Sequence, residues 1–407
     1  MTSFEKQIKP ITLTVGTTVN EKSAPGTVYG RDELVEKLWD DIKSSSISLI
    51  GERRTGKTWV LRLAQALKPA QAETFWFDAE KVHSTIEFVR RLNQELHAKG
   101  LMSKNVARVF SSLARRIGFG LEGIKGTIEI KNPDEWPLFL QSTIGEFVQY
   151  AGNRNAVLMI DELPLCLDSI ASTQGHAAAS KVLDELRALR MAHPSLRMVF
   201  CGSLGLHIVL KKLEDEGYKG QPTNDLITFD VPPLNEHDSL FFAAGLIFGE
   251  KIGYSHLEQV SLAVAQAGSQ IPYYIQHIVK YMKNQQPFDY TPEDVAAIPE
   301  KLFEASGDPA RFRHHDKRLD VYYPEDIVEK ARSVLDVLSL EPDGLDDGTL
   351  LNLVKHNPKT LTIDPEFLQE VVRILQDDHY IEKSGGRWKF KVDIIRRWWA
   401  FARGEMN

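Results

Sequence analysis

The chain is poor in cysteine. Only Cys166 and Cys201 occur in 407 residues, each in an apolar context ("PLCLD", "MVFCGS"). That excludes a disulfide framework or a cysteine-rich metal site and suits reduced, buried thiols in a reducing, cytoplasmic compartment. Long hydrophobic runs are missing as well. No stretch approaches the ~18 apolar residues of a membrane span, and "MTSFEKQIKPITLTVG" lacks a basic region followed by an apolar one, so neither a secretion signal nor a membrane span is expected. Positive charge is not in excess either: 49 Lys and Arg face 56 Asp and Glu, a net charge of −7. This balance argues against a whole-molecule grip on nucleic acid or anionic membrane and leaves local basic patches as the route to either. The remainder is ordinary for a globular protein, with 43% hydrophobic and 26% charged residues and no internal repeat or low-complexity tract. The length predicts two or three packed units.

Residues 1–27 are polar, close on "KSAPGT" and read as a tail. From Tyr29 the pattern tightens. "GRDELVEKLWDDIK" sets Leu34, Leu38 and Ile42 four apart on one helix face, and "SISLI" follows as a strand. Further strand-like runs are "TFWFDA", "AVLMID", "RMVFCGS" and "DLITFDV", separated by helical spacing such as "STIEFVRRLNQELHAKG" and "EWPLFLQSTIGEFVQY". This alternation predicts an α/β domain over 28–232, with a doubly wound parallel sheet covered on both faces. Between those two helical segments, "GTIEIK" points to an inserted hairpin. After "VPPL", three helical segments without strands predict a helical lid over 233–286, and a polar linker over 287–326 leads on. Residues 327–407 read as three helices, "EDIVEKARSVLDVLSL", "DDGTLLNLVKHN" and "DPEFLQEVVRILQDD", then a hairpin around Gly385-Gly386. This is the order of a winged-helix domain.

The strand "SISLI" runs directly into "GERRTGKT", and a helix opens at its end. Gly51-x-x-x-x-Gly56-Lys57-Thr58 is the phosphate-loop (P-loop) pattern in its required context. Gly51 and Gly56 let the backbone bend so that successive amides, those of Arg54 and Thr55 among them, point at phosphate oxygens. The helix N-terminus adds positive potential. Lys57 has the reach to span the β- and γ-phosphates of ATP, and the Thr58 hydroxyl can ligate Mg²⁺. The metal also needs a carboxylate. "AVLMIDELP" supplies one, because a buried strand delivers Asp161 and Glu162 at its C-terminal end, where ligands of open α/β sheets bind. Asp161 is the candidate metal ligand and Glu162 the candidate general base. Ser203, after the next strand, is either a γ-phosphate sensor or a helix cap, and Asp78 has a similar position and a similar ambiguity. Adjacent His314 and His315 point different ways on a helix and lack partners at ligand spacing, so a metal site there is rejected.

The combination of "VYGRDELVEKL", "GERRTGKT", "LMIDELP", "CGS" and "IPYYI" resembles the archaeal-type AAA-like ATPases of the STAND/AAA branch over residues 28–403. Arg53 and Arg54 inside the loop are the letters most specific to that branch. The resemblance implies an ATPase core, a helical lid and a winged helix. It also implies adenine contacts from Val28, Tyr29 and Gly30, with Pro272 and Tyr273 closing the base pocket. The chain departs at "AGSQIPYY", where Gln270 stands in the place of the family's usual glycine before Ile-Pro. An arginine reaching a neighbouring subunit's phosphate is not assignable from a short motif. Arg311, Arg313 and Arg318 are candidates, against a reading in which they ride a solvated segment.

Three functions remain on these residues: an ATP-hydrolysing motor, a nucleotide-gated switch acting on an oligomer or a separate effector protein, and a DNA-binding regulator. The resemblance favours the switch, and proteins of this look often sit in mobile-element or phage-defence operons. For DNA, Lys383, Arg387, Lys389 and Lys391 with neighbouring tryptophans form a candidate backbone-contacting wing. Against it, "DPEFLQEVVRILQDD" is strongly acidic where a recognition helix would meet phosphate, which favours protein contacts instead.

Overall fold

A computed structural model describes residues 2–15, 22, 24–102, 133–202, 205–285, 288–356 and 364–404. The hairpin expected at "GTIEIK" lies outside the described residues. The chain forms two compact units. One comprises Val19–Ile50 and Lys57–Val231, the other Met1–Thr18, Gly51–Gly56 and Pro232–Asn407. The segments read from sequence as lid, linker and winged helix therefore fall in one unit, together with six residues of the phosphate loop.

The first unit is built on five strands: β1 (Ser46–Ile50), β2 (Ala72–Asp78), β3 (Asn155–Asp161), β4 (Leu196–Cys201) and β5 (Leu226–Asp230). They lie in the order β2-β3-β4-β1-β5, and every pairing is parallel. Its helices are α1 (Ala24–Thr27), α2 (Asp32–Ile42), α3 (Lys57–Ala66), α4 (Thr85–Ala98), α5 (Trp136–Ala151), α6 (Leu163–Gln174), α7 (His176–Ala192) and α8 (Leu206–Asp215). The period of two along the strands sends alternate residues to opposite faces. Ile47, Leu49, Val157, Met159, Val199 and Phe229 pack on one face with Leu38, Trp39 and Ile42 of α2 and Val60, Leu61 and Ala64 of α3. On the other, Phe75 meets Phe147 of α5 edge-on at 6.3 Å and Phe77 meets Phe88 of α4 at 5.5 Å. Burial on both faces explains why these strands read as continuous apolar runs. The edge strand β5 differs, leaving Ile227 exposed. Because all five strands are parallel, their C-terminal ends share one edge, which gathers Ile50, Asp78, Asp161 and Cys201.

The second unit is mostly helical: α9 (Glu236–Gly249), α10 (Leu257–Ala267), α11 (Pro272–Asn284), α12 (Pro292–Ala296), α13 (Ile298–Glu304), α14 (His314–Tyr322), α15 (Glu325–Ser339), α16 (Asp347–His356), α17 (Pro365–Asp377) and α18 (Asp393–Ala402). A two-residue parallel ladder of β6 (Gly253–Tyr254) and β7 (Asp289–Tyr290) interrupts the expected all-helical segment. Residues 287–326 are not a solvated linker. They carry α12, α13 and α14 and bury Phe303, Phe312, His315 and Leu319. Polar letters concealed this because some of the buried groups are themselves polar, as with Arg318, which pairs with Asp378 at 2.7 Å with both side chains 3% exposed.

The N-terminal segment is likewise more than a tail. Ile11 donates its amide to the Gly245 carbonyl at 2.8 Å, Leu13 to the Glu250 carboxylate at 2.8 Å, and Thr14 to the Gln276 side chain at 2.7 Å. Gly245 and Gly249 are required there, since a Cβ at Gly245 would stand 2.7–2.8 Å from the Ile11 side chain and one at Gly249 would stand 2.2–2.9 Å from the Ile11 backbone. Ala24 and Val28, by contrast, belong to the core of the α/β unit.

At the C-terminus, β8 (Ile381–Ser384) and β9 (Arg387–Phe390) pair antiparallel with Ser384 opposite Arg387. The two-residue loop is Gly385-Gly386, with φ of 57° and 80° at the two glycines, the left-handed pair that a tight hairpin demands. The basic residues of this ribbon are engaged within the chain. Lys383 pairs with Asp347 at 2.7 Å, Arg387 donates twice to the Gly344 carbonyl, Lys389 pairs with Glu382 at 3.3 Å, and Lys391 bonds His379 at 3.1 Å. Trp398 and Trp399 are buried, and the Trp399 indole donates to Asp336 at 2.8 Å. Among the described residues, no helix is long and apolar enough to cross a membrane.

Candidate active site

The loop after β1 is shaped by three residues of positive φ: Gly51 at 139°, Arg54 at 71° and Gly56 at 95°. At the two glycines a side chain would be strained, which is why the pattern fixes them. Inside the loop, the Thr55 hydroxyl donates to the Glu52 carbonyl at 2.9 Å and the Arg53 amide to the Glu52 carboxylate at 2.9 Å, a local turn that leads the chain into α3. Lys57 and Thr58 are the first two residues of α3, so the positive end of the helix lies beside them. Lys57 is only 8% exposed.

Asp161 ends β3 and is 3% exposed. Burial raises its carboxyl above the ordinary range. Hydrogen bonds from the Thr58 hydroxyl, the Cys201 thiol and the Glu162 amide (3.1 Å) act the other way, while the charge of Asp78, its partner across the β2–β3 ladder, raises it further. The Cys201 thiol is itself raised well above its usual value, by burial first and then by the Asp161 charge. A thiol so raised stays protonated and is a poor nucleophile. Asp78 accepts from the Glu80 amide at 2.9 Å. Glu162 adopts φ 55°, ψ 30°, a left-handed conformation that costs a non-glycine residue about 1–2 kcal/mol. Strain of this kind, at a half-buried carboxylate directly after Asp161, is the sort that functional sites retain.

The donor set fits Mg²⁺. Thr58 and Asp161 present a hydroxyl and a carboxylate, both the hard oxygen ligands this ion prefers, in the small number it takes alongside phosphates and water. The same burial makes a stability prediction. With its folded value raised, an ionised Asp161 is held at a cost that is absent below the ordinary carboxylate range and grows as pH rises through the folded value. Asp161→Asn should therefore stabilise the nucleotide-free protein at neutral pH by about 0.5–2 kcal/mol. The gain should fade toward pH 4, and thermal melts across pH measure it.

Other sequence-predicted residues have separate places. Val28 is buried, Tyr29 half-buried and Gly30 at φ 64° in the α/β unit. In the helical unit, Pro272 opens α11, and Tyr273 lies against Tyr274 at 5.5 Å and His277 at 4.4 Å. Ser203 lies outside the described residues. Gln270, in the family's glycine position, has φ 57°, the conformation a glycine would take freely. Arg311 and Arg313 are exposed, whereas Arg318 is consumed by Asp378 and is not free to reach a neighbouring subunit. Arg54 was expected to offer its backbone amide to phosphate; its guanidinium donates to the Tyr274 hydroxyl at 3.3 Å, to the Ala310 carbonyl and to the Arg311 carbonyl at 3.0 Å, with its centre 4.4 Å above the Tyr273 ring. Nothing in the spacing of the sequence marks that contact, which joins residues more than 200 positions apart.

The whole chain superimposes on the Walker-type ATPase PABY2304 of Pyrococcus abyssi at 15% identity, with a TM-score of 0.62 over 97% of this chain and 99% of that one. The chain has the fold of a Walker-type ATPase. Lower overlaps are found with the ORC2 protein of Aeropyrum pernix, in ADPNP-ADP complexes (10% identity, TM-score 0.47, 98% of each chain) and in an ADP form (11%, 0.42, 99% of this chain and 97% of that one). No family model and no curated protein sequence matches. Within the α/β unit, Asp161 stands at the C-terminal edge of the parallel sheet, the edge where open α/β sheets bind ligands.

Proposed function

We propose that the chain is a Mg²⁺-dependent ATPase that acts as an AAA-like nucleotide-gated switch, hydrolysing ATP slowly or on stimulation by a partner. The observation that carries the reading is the Asp161 carboxylate, buried at the C-terminal end of β3 in a parallel sheet whose strand β1 leads into a loop with glycines at positive φ. In this reading the amides of the 51–56 loop and the N-terminus of α3 take up phosphate charge. Lys57 bridges the β- and γ-phosphates, and Thr58 with Asp161 holds the metal. Glu162 orients the attacking water and accepts its proton. The bound ion would supply neutralisation of the charge developing on the phosphate oxygens. Base contacts are proposed for Val28, Tyr29 and Gly30, and for Pro272 and Tyr273.

The resemblance to the STAND/AAA branch extends the proposal to a homo-oligomer controlling a separate effector chain, since no nuclease or protease motif is visible in this one. A C-terminal module of three helices and a ribbon, with its ribbon cations paired internally, supports a winged helix used for protein contacts over one that grips DNA. The test is the solution mass of purified protein, with co-purifying chains identified, in the presence and absence of ATP and Mg²⁺. The switch predicts an ATP-dependent change in mass or in bound partner. Constant mass and composition, with ATP demonstrably bound, would remove the switch and leave an ATPase only.

A further inference from the structure

Arg54 combines two features that ordinarily oppose each other. It is a bulky residue at φ 71° inside the phosphate loop, and its guanidinium turns away from that loop to carbonyls of the helical unit. The receiving turn is itself held. The Asp308 carboxylate accepts the amides of Phe312 at 2.7 Å and Arg313 at 2.9 Å, and the Arg311 amide bonds the Asp308 carbonyl at 2.8 Å. The carbonyls of Ala310 and Arg311 are thereby fixed in direction before Arg54 meets them. Tyr274 is equally fixed: its ring stacks on Phe312 at 5.1 Å and 1°, and its hydroxyl bonds His315 Nε2 at 3.0 Å. Burial, together with the positive charges of Arg54, Arg318 and Arg53, holds His315 well below its usual value and so neutral. In the tautomer whose Nε2 carries no proton, that nitrogen accepts a hydrogen bond from the Tyr274 hydroxyl, whose oxygen then accepts from Arg54. Three donors on one planar fork thus have three pre-set acceptors and an aromatic face.

We infer that Arg54 is a positioning residue for nucleotide binding, whose side chain pins the strained turn of the phosphate loop to Tyr274, Ala310 and Arg311 instead of contacting phosphate. This rests on the reading of the loop as an ATP site. The pin holds the left-handed turn open, so that the loop amides are aligned before ATP arrives. Loss of the pin is felt as weaker binding, with turnover of the bound nucleotide largely retained.

The test compares Arg54→Ala, Arg54→Gly and Arg54→Lys in the full-length protein, by titration with a fluorescent ATP analogue and Mg²⁺ and by the split of KM and kcat. Alanine loses the pin and keeps the left-handed cost, so Kd should rise about tenfold or more. Glycine loses the pin but accepts φ 71° freely, and should recover to within about threefold of wild type. Lysine keeps the charge without the fork and should not rescue. Saturated kcat should stay within about twofold for all three. Rescue by lysine with alanine and glycine equally weak would overturn the inference in favour of a direct phosphate contact, and three variants equal to wild type would overturn it outright. Amide hydrogen exchange on the nucleotide-free protein separates this inference from the reading beneath it. Faster exchange over 52–56 in Arg54→Ala upholds the pin even if wild type binds no ATP, whereas unchanged exchange sinks the pin whatever wild type binds.

Discussion

Glu162→Gln lowers ATP turnover by about 10²–10⁴-fold, the usual contribution of a general base, while ATP affinity stays near that of wild type. The separation follows from position. Glu162 stands one residue past Asp161, at the N-cap of α6, and makes no side-chain cap there. Glutamine matches its shape while losing the ability to accept a proton. The backbone at φ 55° is as costly for glutamine as for glutamate, so folding should be unaffected. Phosphate release and equilibrium binding, measured on the same preparation, check both halves. Parallel loss of binding would show that Glu162 shapes the pocket, and unchanged turnover would remove it as the base.

Lys57→Ala acts one step earlier. The ammonium is the second largest expected effect because it makes charge-assisted bonds to the triphosphate, each worth about 1.5–3 kcal/mol. Two such bonds correspond to a loss of about 10² or more in affinity. Lys57 is buried at the start of α3, and its charge reaches Cys201, which in turn bonds Asp161. Removing it should therefore weaken binding without unfolding the sheet, and circular dichroism beside calorimetric titration would establish this. Retained affinity would mean that the loop does not hold phosphate in the assumed way.

Much of the α/β unit was legible because its chemistry is local and periodic. Four apolar strands, a glycine pair at positive φ and a carboxylate at a strand end are each written within a few letters, and the parallel sheet brings their ends to one edge. What could not be read depends on distant partners. The polar tone of 287–326 concealed three helices, because Arg318 is buried through its bond to Asp378, sixty residues away. The N-terminal segment looked like a tail, since the partners of Ile11, Leu13 and Thr14 lie beyond residue 240. The side-chain contacts of Arg54 were illegible for the same reason. Its acceptors, Tyr274 and the carbonyls of Ala310 and Arg311, carry no signal in their own sequence context. Cys201 was read as a reduced, buried thiol, and it is buried; that it ends the strand next to the one ending in Asp161 follows only from the strand order.

The account turns on a metal-dependent reaction at Thr58, Asp161 and Glu162. A single-turnover assay with enzyme in excess over radiolabelled ATP tests it most directly, with Mg²⁺ present and after chelation. The prediction is release of inorganic phosphate with the ion, none without it, and none from Glu162→Gln in either condition. Bound ATP left intact in the presence of Mg²⁺, or hydrolysed equally after chelation, would contradict it.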